Sequence, residues 1–162
     1  HGVVEDTELF EICSQGWDKV VTQLPEIVRR GMAVKVKIIE EDPFEQGIRA
    51  ALNFGHTIGH AVELVSKFSI LHGEAVSIGM VAETKLAEGL GIASKGLTER
   101  LTETLLALGL PVDIPNNLPR PDLVRAMTMD KKKAAGIVRF ALPVEIGKME
   151  IGVEIKDLEK AL

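Results

Sequence analysis

Apolar residues recur along most of this chain at intervals of three and four, and only near the C-terminus does the pattern change to alternation. Asp6-Thr7-Glu8 precedes Leu9, Phe10 and Ile12, which predicts a short opening helix with a capping residue at its start. Pro25 near a helix start, Ile27, Val28, Val34 and Ile38 at helical spacing, and Asp42-Pro43 as a stop predict a longer helix from Pro25 to about Glu41. A third helix is predicted from Glu45 through Phe68. His72 to about Leu90 is apolar almost all the way round and rich in small residues, which predicts a buried, central helix closed by Gly91. Leu97 to Leu108, and Pro121 to Met129 after the turn residues Pro115-Asn116-Asn117, complete the helical part. Gly136 to Leu142 and Lys148 to Val153 alternate at period two with Pro143 and Gly147 between them, the pattern of a small hairpin, and Lys156 to Leu162 reads as a short terminal helix. With no internal repeat and no linker, the expected class is mainly α: one helical bundle domain over residues 1–162 with a short β-hairpin near the C-terminus.

Composition narrows the function. An apolar fraction of 46% with 27% charged residues is that of a soluble globular chain able to bury a core. A formal net charge of −5 has the wrong sign for a chain that lives on nucleic-acid phosphate or an anionic membrane, so neither is expected as a partner. The single cysteine, Cys13, excludes an intrachain disulfide framework and a cysteine-rich zinc cage. No apolar run reaches the length of a membrane span and no signal-type segment opens the chain, which together with the lone cysteine points to the cytoplasm. GxGxxG, GxxxxGK[ST] and GxSxG are all missing, so no nucleotide-phosphate cradle or serine nucleophile elbow is expected.

Three of the four histidines, His56, His60 and His72, fall close together. On a helix, Glu45, Arg49, Asn53, His56, His60 and Glu63 would follow one another at spacings of four, four, three, four and three and form one polar stripe. Such a stripe is commonly the solvated face of an amphipathic helix. Asparagine, histidine and glycine are poor helix formers, however, and Gly55 and Gly59 each cost up to about 1 kcal/mol relative to alanine, which favours a functional face. Two glycines four apart let another backbone, or a ligand, come close beside the stripe. The pair His56 and His60 has the i, i+4 spacing of a zinc site, while His72 stands at a helix start; spacing does not choose which two of the three bind an ion. Asp130-Lys131-Lys132-Lys133, with Arg139 nearby, is either a solvated loop or an anion site for a phosphorylated small substrate. Lys35 and Lys37 carry the same weaker reading.

Leu52-Asn53-Phe54-Gly55-His56-Thr57-Ile58-Gly59-His60-Ala61-Val62-Glu63, followed by Leu71-His72-Gly73-Glu74-Ala75-Val76-Ser77-Ile78-Gly79-Met80, closely resembles the 3-dehydroquinate synthase family. Glu45 to Arg49, Asp130 to Lys133 and Gly136 to Phe140 fit the same family, and the resemblance covers its C-terminal, helical half. It implies a two-domain enzyme in which an N-terminal domain, absent here, binds NAD, and in which this domain holds Zn2+ or Co2+ and most of the substrate groups. It also implies a third metal ligand, a glutamate in a Glu-x-x-Lys motif just upstream of His1, and a homodimer. By the same resemblance, His56 and His72 are the metal ligands, and Glu45 and His60 the proton-transfer groups. Lys35, Arg49, Asn53 and Lys131 or Lys132 contact substrate. The implied reaction is conversion of 3-deoxy-D-arabino-heptulosonate 7-phosphate to 3-dehydroquinate and phosphate, a shikimate-pathway step, with the isolated chain itself inactive. The competing expectations are a related sugar-phosphate cyclase, a metal-dependent alcohol or glycerol dehydrogenase domain, and a non-catalytic helical module.

Overall fold

The computed structural model describes residues 1–129 and 138–162. Helix α1 (Thr7–Ser14) begins where the Asp6 carboxylate accepts the Leu9 N–H at 2.9 Å, as its sequence predicts. Gly16 turns the chain into a one-and-a-half-turn helix, α2 (Trp17–Thr22), which the periodicity does not reveal because it is too short to show a repeat. Helix α3 (Leu24–Glu41) carries Pro25 in its first turn, where the missing N–H costs nothing, and ends at Asp42.

The next segment departs from expectation. Glu45 through Phe68 is not one helix: a loop leads into a short 3-10 helix (Ile48–Asn53), and α4 (His56–Val65) starts only after Gly55. Gly55 has φ +77° and Glu45 φ +54°, both left-handed values that no continuous right-handed helix accommodates. Lys67 and Phe68 are left-handed too, so α4 stops before the predicted end. The polar stripe therefore spans three local structures and not one helix face.

Helix α5 (His72–Gly89) opens with the Leu71 N–H donated to the Glu74 carboxylate at 3.0 Å and buries Ala75, Ile78, Gly79, Leu86 and Ala87. Helices α6 (Leu97–Ala107) and α7 (Arg120–Met129) follow within a residue of expectation. Strand β1 (Val138–Glu145) pairs antiparallel with β2 (Lys148–Ile155); Pro143 lies inside β1, opposite Met149, and not in the turn. The predicted terminal helix shrinks to a single 3-10 turn, Leu158–Ala161. Among the described residues no helix is long and apolar enough to cross a membrane.

Two apolar cores meet across this framework. One joins α4, α5, α7 and the hairpin through Ile58, Val62, Ile78, Leu123, Phe140 and Leu142; the other joins the N-terminal segment to α3 and α6 through Val3, Phe10, Ile38, Phe54 and Leu101. Each of these large side chains, taken fully from water, contributes about 1.5–3 kcal/mol. The pairing that positions everything else is α4 on α5. At Gly79 an added Cβ would lie 2.0 Å from the Gly55 carbonyl oxygen, and at Gly59 one would lie 3.0 Å from that of Ala75. The close approach that the two glycines announce is thus made by another backbone, that of α5.

Candidate functional site

Asp42, at the end of α3, organises the loop that follows. Its carboxylate accepts N–H groups from Gln46 at 2.9 Å, Gly47 at 2.7 Å and Arg49 at 3.1 Å. The Gln46 N–H, with those of Gly47 and Arg49, outweighs partial burial and holds the Asp42 carboxyl below its ordinary range. Within this loop Arg49 donates from Nη1 to the Pro43 carbonyl at 2.9 Å, and Glu45 accepts the Asn53 side-chain amide at 3.0 Å. Glu45 and Asn53 are brought together, although they do not share a helix.

At Gly55 the chain turns, and α4 presents His56 in its first turn, His60 in the next, and Glu63 after that. The start of α5 brings His72 to the same place. Ring centroids lie 5.3 Å apart for His56 and His60, 5.4 Å for His56 and His72, and 5.9 Å for His60 and His72. His56 Nδ1 lies 3.0 Å from the Phe54 carbonyl oxygen. A carbonyl only accepts, so Nδ1 carries the proton and Nε2 keeps its lone pair. His72 Nδ1 stands 3.0 Å from a Glu63 carboxylate oxygen, which fixes its ring in the same sense. Burial, with the neighbouring His60 and His72 rings adding to it, pulls the His56 pKa below the usual imidazole value, so this ring stays neutral and able to bind a metal. His60, Glu63 and His72 offer donor atoms that all lie within 4.8 Å of one another.

His56 and His60 face a cleft of about 610 Å³, lined on one side by these two with Asn53, Thr57 and Glu63 and on the other by Met127, Met129 and Arg139, while His72 stands beside them outside its lining. Arg139 is exposed and donates to Glu154 on the partner strand at 3.0 and 3.2 Å. Lys35 is exposed on α3 and is not among the described residues lining the cleft. Lys37, two residues on, pairs with Glu5. Lys131 and Lys132, with Gly136 of the predicted hairpin, lie outside the described residues.

His56 and His72 suit a borderline divalent ion, each with Nδ1 engaged and Nε2 available, while the donor group that closes to within 4.8 Å among the described residues is His60, Glu63 and His72. Glu63, on the predicted stripe without a task there, is the hydrogen-bond partner of His72. Two further carboxylates, Asp42 and Glu83, the latter accepting the Gly55 and Ile58 N–H groups, carry no such signal in the sequence. Both act through backbone N–H groups, which leave no trace in side-chain spacing.

The family model for the C-terminal part of 3-dehydroquinate synthase matches residues 1–133. The 3-dehydroquinate synthase of Thermodesulfovibrio yellowstonii is 40% identical over all of this chain and 47% of its own length, and that of Saccharolobus solfataricus is 39% identical over 95% of this chain and 47% of its own. The chain spans about half the length of the curated relatives it matches. Among solved structures, the 2-epi-5-epi-valiolone synthase ValA from Streptomyces hygroscopicus subsp. jinggangensis, with NAD+ and Zn2+ bound, superposes with a TM-score of 0.83 at 26% identity, covering 99% of this chain and 46% of that one. A 2-deoxy-scyllo-inosose synthase complexed with carbaglucose-6-phosphate, NAD+ and Co2+ shares the fold with a TM-score of 0.74 at 22% identity, over 86% of this chain and 40% of that one. A mostly helical domain with a C-terminal hairpin, a histidine-lined cleft and these relatives converge on one conclusion: the chain belongs to the 3-dehydroquinate synthase family and corresponds to the C-terminal part of its members.

Proposed function

We propose that this chain supplies the metal- and substrate-holding half of an enzyme that converts 3-deoxy-D-arabino-heptulosonate 7-phosphate to 3-dehydroquinate and phosphate. One observation carries the reading: the rings of His56, His60 and His72 cluster within 5.9 Å of one another at the edge of the cleft, and the Nδ1 atoms of His56 and His72 are engaged so that Nε2 of each is left for a ligand bond. His56 and His72 would hold Zn2+ or Co2+, completed by a carboxylate from the part of the longer protein that precedes this chain. When bound, such an ion polarises the substrate hydroxyl and lowers its pKa, while NAD+ held mainly by the rest of the enzyme takes up and returns the hydride.

The remaining tasks fall to this chain's own side chains. His60, exposed at the cleft, is the imidazole placed to move a proton to and from the substrate. Glu45 is the proton acceptor and positions Asn53 through their hydrogen bond. Arg49 and Asn53, with Lys35, Lys131 and Lys132, hold the carboxylate and phosphate ends of the substrate and align it with the cofactor. Identity of 40% to relatives named 3-dehydroquinate synthase, against 26% to the valiolone synthase, favours the dehydroquinate substrate over that of a related cyclase.

Calorimetry with Zn2+ and Co2+ tests this. A longer protein that includes the preceding half should bind tightly, this chain alone weakly, and His56→Ala or His72→Ala should abolish binding in both. Binding unchanged by both substitutions would overturn the assignment.

A further inference from the structure

Glu83 sits on α5 and is fully buried. Its carboxylate reaches across to the start of α4, where one oxygen accepts the Gly55 N–H at 2.7 Å and the other the Ile58 N–H at 3.1 Å. The first N–H groups of any helix lack partners within it, and a residue such as Ser, Asp or Asn in the capping position ordinarily serves them. That solution is closed here. A Cβ at Gly55 would meet the Met80 side chain at 2.5 Å and the Val76 carbonyl oxygen at 2.8 Å, and the left-handed φ of +77° strains any side-chain-bearing residue. The cap must come from the neighbouring helix, and Glu83 stands one turn beyond Gly79, the point of closest approach to Gly55.

We propose that Glu83 is a positioning residue for the histidine cluster: by clamping the first turn of α4 from α5, it sets where His56 and His60 stand relative to His72. Burying a carboxylate is unfavourable unless it is hydrogen-bonded, and both of its oxygens receive backbone donors whose helix dipole also favours negative charge. The geometry connects this clamp directly to the cleft. His56 is the residue after Gly55, and its ring is oriented by the carbonyl of Phe54, the residue before it. His72 is the first residue of the same helix that carries Glu83. One rigid element therefore both presents the third ring and fixes the other two. This inference rests on the working roles given to His56 and His60 under the proposed function.

The test compares the whole chain with its Glu83→Ala and Glu83→Gln variants by three readouts: ring-nitrogen NMR of the histidines, hydrogen exchange at Gly55 and Ile58, and Co2+ titration followed by visible absorption. Glu83→Ala is expected to keep its helical circular dichroism at low temperature, to lose the fixed Nδ1–H form of His56, and to bind Co2+ about 10–100-fold more weakly. Glu83→Gln, which retains one carbonyl acceptor, is expected to recover part of each. A lower melting temperature with the His56 ring signals and Co2+ affinity unchanged would make Glu83 a purely structural residue and overturn the proposal. Where Glu83→Ala fails to fold, Glu83→Gln decides by the same ring signals, altered in support and unaltered against. The ring signals need no metal, so absent Co2+ binding by the unsubstituted chain would count against the proposed function while the positioning role is still decided.

Discussion

A single carboxylate can hold a loop that a long stretch of side chains could not, and Asp42 is the instance here. Its three backbone donors fold the chain back so that Glu45 and Arg49 leave α3 in a fixed direction. Because those bonds hold its folded pKa below the unfolded value of about 3.9, its contribution is fully present above that value and is lost as pH falls through the lower, folded one. Protection factors against hydrogen exchange at Gln46 and Gly47, taken relative to the intrinsic rate at each pH, should therefore be high at neutral pH and fall in strong acid, while Asp42→Asn should lower them throughout. Asp6 works on the same principle at α1. Burial raises its pKa, but the Leu9 N–H and the Arg30 guanidinium together outweigh that and leave the pKa lowered. Asp6→Ala should cost about 1 kcal/mol, the typical loss of a helix cap, read as a lower urea midpoint with unchanged slope.

Among the elements, the α4 and α5 pair is the least tolerant of change. Alanine usually stabilises a helix by about 1 kcal/mol relative to glycine. At Gly79 that gain is overrun, because the new methyl would lie 2.0 Å from the Gly55 carbonyl oxygen, and forced overpacking costs about 1–3 kcal/mol or more. Gly79→Ala is expected to lower the melting temperature and to disturb His56 and His72 together, since both rings depend on the same helix pair. This contact also shows what the sequence could and could not announce. Gly55 and Gly59 were legible as points of close approach, and α1, α3, α5, α6, α7 and the hairpin were legible from periodicity and caps. The break at Gly55 was not, because Asn53, His56, His60 and Glu63 keep helical spacing straight across it. The polar residues converge on the cleft by tertiary folding, and the regular spacing that suggested one helix face is coincident with it. Of the site itself, the grouping of His56, His60 and His72 is legible in the sequence, whereas the contact of Asn53 with Glu45 is not, because one continuous helix would hold those two residues apart. Glu83 was hidden inside the apolar pattern of a core helix, with its partners 25 and 28 residues away.

At the scale of the whole molecule, the chain holds two apolar cores of its own yet spans about half the length of its relatives. It is expected to fold alone and to show no turnover of the heptulosonate phosphate with NAD+ and Zn2+ supplied, because its sequence carries no recognisable dinucleotide loop; phosphate release by the isolated chain would contradict this. Two segments far apart in the sequence are also joined. The Val3 carbonyl accepts the N–H of Gly147 in the hairpin turn at 2.9 Å, and Val3 and Val4 are buried beside Phe10. Contacts that close nearly the entire chain into one loop form late and slow folding, even where most of the structure is local helix. During synthesis, Val3 therefore waits for its Gly147 partner until the hairpin has emerged, and the helices made in between remain a partly open platform until then.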